Sequence, residues 1–264
     1  MSNIPLSDPS KILIVAFEGW NDAGDAASHA AEIVVDQCGL SALTHVDPEE
    51  YFDFQLTRRL VEQGSDGVRS VKWPDVSLFG PASGDIDSPY VLTGQEPSRL
   101  WRSFASQMVD HALAYGIDSI VFLGAMLADV PHSRPVRVTA TSGDAAIRDE
   151  YDIEKSSYEG PVGVLTVLSL AAAEVGIPSL HLWAHVPHYV HTSPSPKATL
   201  AILEKLEELV GIQTDRQSLE AESVQWEEGI DVLAAEDEDM SAYIDQLEQA
   251  RDTADAPEAS GDAI

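Results

Sequence analysis

The 264-residue chain contains one cysteine, Cys38. No intrachain disulfide can form, and a thiol-rich metal centre is excluded. Basic residues are scarce: 15 Lys and Arg stand against 45 Asp and Glu, a formal net charge of −30. So acidic a surface repels phosphate backbones and anionic lipid, so neither nucleic acid nor membrane is expected as a partner. No apolar run reaches the roughly 18 residues of a spanning helix. "MSNIPLSDPS" has no basic stretch leading into an apolar one, so no signal peptide is read and a cytoplasmic protein is expected. Catalytic signatures are missing too. "GWNDAGDA" fits neither GxGxxG nor GxxxxGK[ST], and its carboxylates would oppose a phosphate at a helix N-terminus. There is no GxSxG elbow and no HExxH. Cys38 sits at a helix end, where the dipole disfavours a thiolate. No cofactor and no metal are expected, and no reaction is assigned.

What the chain has is apolar content, 44% of its residues, enough for a large core without staples. "ILIVAF", 12–17, reads as a buried strand ending at a Gly. Asn21 or Asp22 can cap the following helix, Asp25 sits in its first turn, and Gly39 stops it. "SALTHVDPEE" then gives a second strand and a turn. Strand, helix and strand within about 35 residues mark a parallel α/β unit. "VRSVKWP", "VSLFG", "YVLTG", "DSIVFLGAML", "VRVTATS" and "PSLHLWAHVPHYV" continue the strands. Helices are expected at 98–115, with Ser98 as cap and Gly116 as stop, in "GPVGVLTVLSLAAAEVG", and in "SPSPKATLAILEKLEELVG". About seven to nine strands make an α/β fold: a three-layer sandwich around a mostly parallel sheet, over residues 1–211.

After Gly211 the strands stop. Leu219, Trp226, Ile230, Leu233, Met240, Ile244 and Leu247 form a heptad-like stripe. One or two long helices are expected over 212–251, packed on the parent domain, on each other or on a neighbouring subunit. From Asp252 to 264 the chain is small, polar and Pro-containing, and reads as a disordered acidic tail. Residues 200–264 carry 19 Asp and Glu against 3 Lys and Arg, a net of −16. The segment is either a solvated face or an acidic arm for a basic partner.

In an open parallel sheet, ligands bind beyond the strand C-termini. Three such exits carry chemistry: Glu18-Gly-Trp20-Asn21-Asp22-Ala-Gly-Asp25, then Gly124 to Pro135 with Asp129, His132 and Arg134, then His185-Val-Pro-His188-Tyr189. If their strands are adjacent, the loops share one polar crevice suited to a small molecule. Plainer readings exist: Asp22 and Asp25 as helix caps, and Arg134 paired to Asp129 across its turn. His181, His185, His188 and His191 are clustered, but Leu182 and Trp183 among them suggest ordinary packing rather than a metal.

"FEGWNDAGDAAS", "VDPEEYFDFQLTR", "VKWP", "LGAMLADVPHSRPV", "YEGPVGVLTVL" and "WAHVPHYVHTSPSPKATLAILEKLEEL" together resemble the proteasome assembly chaperone 2 family in its actinobacterial form, from about residue 11 to 250. The resemblance implies a purine nucleoside phosphorylase-like α/β fold, without implying phosphorylase activity, plus C-terminal helices and often a homotrimer. It supplies no catalytic motif. Two functions follow as expectations. One is a non-catalytic assembly or interaction protein forming a homo-oligomer, with its C-terminal helices available to a protein partner. The other is a small-molecule (nucleoside- or acyl-like) binding protein, or a hydrolase- or phosphorylase-like enzyme, using the crevice.

Overall fold

A computed structural model describes residues 6–82, 88–190 and 194–255. In chain order its elements are β1 (Ile12–Glu18), α1 (Ala26–Gln37), β2 (Ser41–His45), α2 (Pro48–Tyr51), β3 (Leu60–Gln63), β4 (Arg69–Lys72), β5 (Val76–Gly80), β6 (Tyr90–Gln95), α3 (Trp101–Ala114), β7 (Ser119–Ala128), β8 (Val138–Ser142), α4 (Ala145–Tyr151), α5 (Val164–Glu174), β9 (Ser179–Pro187), α6 (Pro196–Val210), α7 (Gln217–Ala235) and α8 (Glu238–Asp255).

A seven-stranded sheet runs in the order β2-β5-β6-β1-β7-β9-β8. Its centre, β6-β1-β7-β9, is parallel. β8 and β5 run antiparallel to their neighbours, so the mixed strands lie at the two edges. Central parallel strands are covered on both faces, which is why β1 is apolar without alternation. Ile12, Ile14 and Ala16 enter one core layer with α1 and α6, while Leu13, Val15 and Phe17 enter the other with α3 and α5. The expected three-layer α/β sandwich is what forms.

Several local expectations change. α3 begins at Trp101, not at Ser98: Leu100 takes a left-handed conformation at the cap position. The Ser98 hydroxyl instead accepts from Asp53 N (2.6 Å) and donates to Tyr51 O (3.5 Å), tying α2 to α3. A hairpin, β3-β4, stands apart from the main sheet, and its first strand has no alternation that marks it. α8 continues to Asp255, past the expected start of the tail; the rest of that tail, 256–264, lies outside the described residues, as does His191.

α7 and α8 fold back onto the α/β unit. Of the heptad-like stripe, Leu219, Ile230 and Ile244 are buried, but Leu233 is 62% exposed. The stripe is therefore not a continuous seam. Only the residues at roughly helical spacing that face α6 and the strand exits are used.

Candidate functional site

The exits of β7 and β9 do converge, because the two strands pair in register from Ile120↔Ser179 to Ala128↔Pro187. Their loops leave the sheet side by side, and α7 and α8 close over them. His132 is the hub, and it is buried. Its backbone N–H donates to Tyr189 Oη at 2.8 Å. Its Nδ1 lies 2.9 Å from the same hydroxyl, and its Nε2 lies 3.0 Å from Asp231 Oδ1 on α7. The network is satisfied if the Tyr189 hydroxyl donates to Nδ1 and Nε2–H donates to Asp231. Burial, above all, pushes the Tyr189 phenol up to about 12. Lys197 of α6 donates to the His132 carbonyl at 2.6 Å and pairs with Glu227 of α7.

Arg134 does not pair with Asp129. Its Nε and Nη2 both reach Asp252 of α8, each at 2.8 Å, in a two-pronged arrangement, and Nη1 lies 3.4 Å from Glu248. Asp129 is instead 3.3 Å from His188 Nδ1 and accepts from Tyr243 of α8 at 3.4 Å. The His188, Tyr189 and Tyr243 rings meet edge to face at 5.6–6.3 Å. Asp129, His132, Arg134, His188 and Tyr189 are thus one polar cluster, and the C-terminal helices supply its other half.

Of the remaining candidates, His185 borders a small cavity with His132 and Arg134, and the others lie elsewhere. Asp22 is a helix cap: it accepts from Ala27 N (2.7 Å), Ser28 N (3.2 Å) and Ser28 Oγ (2.5 Å). Burial pushes its carboxyl above the usual range, and those three bonds partly oppose the shift. Asp25 occupies the formal cap position, left-handed and exposed, with no side-chain capping bond. Asn21 holds the loop to β7 through its carbonyl, 2.8 Å from Ala125 N. Its amide lies so close to Gly163 that a Cβ there would collide with it. Next to it, Glu96 accepts from Val164 N at 2.8 Å, at the start of α5. Trp20 is 72% exposed, and Glu18 borders a different groove. His185 faces Thr139 on β8 at 3.0 Å; burial, then the nearby Arg137 and Arg251, lowers its pKa. The three exits therefore do not build one crevice: the second and third combine, and the first serves a helix cap and a separate face.

His181 stacks on Phe122 at 4.8 Å and meets Ser169 Oγ at 2.9 Å, the ordinary packing expected of it. Among the described residues no group of three or more His, Cys, Asp or Glu is placed to hold a metal. A Ser-His-Asp cluster exists at the β2-β5 edge, with Ser77 Oγ 2.7 Å from His45 Nδ1 and Asp75 Oδ1 3.3 Å from the same nitrogen. A relay needs the hydroxyl and the carboxylate on opposite ring nitrogens, so this cluster is not one.

Residues 16–234 match the PAC2 family. This chain belongs to the PAC2 family. A PAC2 family protein from Streptomyces avermitilis has a crystal structure similar to this one: 38% identity over 88% of this chain and 98% of that one, with a TM-score of 0.79. The Mycobacterium tuberculosis proteasome-assembly chaperone homologue is similar at 35% identity, over 88% of this chain and 99% of that one, also at 0.79. An archaeal proteasome activator from Pyrococcus furiosus, 17% identical over 85% of this chain and 93% of its own, shares the fold with a TM-score of 0.66. None of the curated proteins matches the chain.

In this family member, Lys197, Asp231, Tyr243, Glu248 and Asp252 complete the cluster, and sequence reasoning passed over all five. Four of them lie in a segment so acidic that no single carboxylate stands out. Lys197 carried a weak signal: with Lys205 it is one of only two basic residues between 194 and 215, and it follows two prolines at a helix start.

Proposed function

We propose that this PAC2 protein is a non-catalytic assembly or interaction protein, acting as a homo-oligomer, a trimer by family resemblance, and presenting its C-terminal helices to a protein partner. The likeness to the M. tuberculosis chaperone homologue supports the assembly role. The observation that carries the reading is how the strand exits are used. In many α/β folds that edge receives a ligand. Here the polar side chains of the second exit bond to Asp231, Tyr243, Glu248 and Asp252 of the same chain, and His188 and Tyr189 of the third bond to Asp129 and His132 of the second. Groups spent on anchoring helices are not aimed at a substrate. The outer faces of those helices remain acidic and open to a partner.

Native mass spectrometry of the full chain mixed with unassembled proteasome α-subunits from the same source tests this. A complex of fixed stoichiometry, lost when residues 212–264 are deleted, is the expected result. No complex at about 10 μM, weaker than most functional pairs, sinks the assembly role.

One observation favours a second reading. An open groove of about 660 Å³ lies beside the C-terminal ends of β1 and β6, with Glu18, Arg58, Arg59, Lys72, Trp73 and Gln95 in its walls. Glu32, Asp36 and Asp75 line it too, and this mixture of both charges with an aromatic suits a small polar, nucleoside- or acyl-like molecule. A thermal-shift screen of such compounds, repeated on Arg58→Ala with Lys72→Ala, tests it: saturable stabilisation that the double variant loses supports the groove.

A further inference from the structure

The groove beside β1 and β6 is bordered by opposite charges from two different parts of the chain. α1 supplies Glu32 and Asp36, one helical turn apart and both exposed. The β3-β4 hairpin and its two legs supply Arg58, Arg59, Lys72 and Trp73. Three of the 15 basic residues thus border one space on a chain of net charge −30, so this wall is unlike the average surface. The two sets do not neutralise each other. Among the described residues the side chains of Glu32, Asp36, Arg58 and Lys72 have no hydrogen-bond or ionic partner. Elsewhere in the groove the protein itself sets a dipolar group between opposite charges: Arg59 Nη1 donates to Gln95 Oε1 at 3.0 Å, and Gln95 Nε2 donates to Glu18 Oε2 at 3.3 Å. Trp73 is 50% exposed, and Phe54 backs its ring at 4.9 Å.

Size and charge together select the occupant. Taken as a sphere, about 660 Å³ is about 11 Å across, close to the Debye length of about 10 Å at 0.1 M salt, so each wall lies within the field of the other. A plain anion drawn to Arg58 and Lys72 is opposed by Glu32 and Asp36, and a plain cation meets the reverse. A molecule with one charge of each sign at its two ends is attracted by both walls. In a free amino acid the two charges are only about 3 Å apart, too close to span the space. An extended peptide advances about 3.3 Å per residue, so about three residues carry an ammonium and a carboxylate to the two sides. The exposed face of Trp73 then offers apolar surface to a side chain between them.

We infer that the groove binds a short free-ended peptide of about three residues, with its carboxylate on Arg58 and Lys72, its ammonium on Glu32 and Asp36, and an apolar side chain against Trp73. The inference rests on the groove reading above and names the ligand class for it. Binding alone is meant; no bond is made or broken.

The test is calorimetric titration of the full chain with the free tripeptide Ala-Leu-Ala, its N-acetylated form, its C-terminal amide, and leucine. The free tripeptide binds saturably, with a Kd below about 1 mM. Blocking either end weakens binding by at least about tenfold. Arg58→Ala with Lys72→Ala weakens the free tripeptide as much and has no further effect on the amide; Glu32→Gln with Asp36→Asn does the same for the acetylated form. All four side chains are exposed, so circular dichroism and melting stay unchanged. Absence of binding at about 10 mM tripeptide overturns the inference. If a nucleoside or acyl compound then binds and is lost in Arg58→Ala with Lys72→Ala, the groove reading stands without it; if none does, both fall. Blocked peptides that bind as well as the free one, or leucine that binds as tightly, overturn the bridging of the two walls.

Discussion

α6 and α8 both sit on the α/β unit, but different forces hold them. α6 buries Ala198, Ile202, Leu203, Leu206 and Val210 against the sheet and α1. α8 buries Ile244 alone among its described residues, and is otherwise held by Arg134 to Asp252 and Glu248, by Ser133 to Glu248, and by Tyr243 to Asp129. Apolar burial acts at any ionic strength; ion pairs at a surface are screened by salt and contribute little net energy each. α6 is therefore part of what folds the protein, and α8 is a cover that solution conditions can move.

The sharpest way to break this contrast is truncation in both helices. Leu206→Ala should lower the unfolding free energy by about 3 kcal/mol in a urea melt, since cavity formation adds to lost burial. An equal loss from Ile244→Ala would erase the distinction between the two helices.

Acid attacks the core and the cover differently. Burial lowers His181 from 6.5 to about 4. The fold thus favours the neutral ring, and its contribution is full above pH 6.5 and lost as pH falls towards 4. Wild type should lose on the order of 2 kcal/mol more than His181→Phe across that window, less than the full linkage value because the ring is not wholly enclosed. Parallel pH curves for the two proteins would contradict it.

Asp22→Ala removes the acceptor at the start of α1 and should cost about 1 kcal/mol, measured by thermal melting. An unchanged melting temperature would return Asp22 to the list of groups held ready for a ligand. Arg134→Ala should have the smallest global effect. Its signature is local: amide exchange across α8 accelerates, exchange in α6 does not, and about 1 M salt, where screening acts within a few ångströms, reproduces the change in wild type.

Much of the architecture was legible beforehand because it rests on short-range pattern. "ILIVAF" followed by Gly and a periodic helix gave β1 and α1, and the repeat of that pattern gave the parallel centre of the sheet. Ser98 misled because a capping residue has other uses: its hydroxyl links two segments that pack together only in the fold. The convergence of Asp129, His132, Arg134, His188 and Tyr189 was half visible, since β7 and β9 were read as strands with polar exits. That Asp22 would leave them for the α1 cap was an alternative already open. That α7 and α8 would occupy the space beyond the exits was not visible, because an acidic helix looks the same whether it is solvated or anchored.

By itself the sequence determined the class of fold, the order of its central elements and, with one cysteine, that no intrachain disulfide forms, because hydrophobic period, Gly stops and residue counts act locally or globally but need no contact map. Only the tertiary structure decided which carboxylates meet Arg134 and His132, and that Asp22 leaves them for the α1 cap. Those pairings join residues about a hundred positions apart in number, and their energies come from distance and burial, quantities that exist only once the chain has folded.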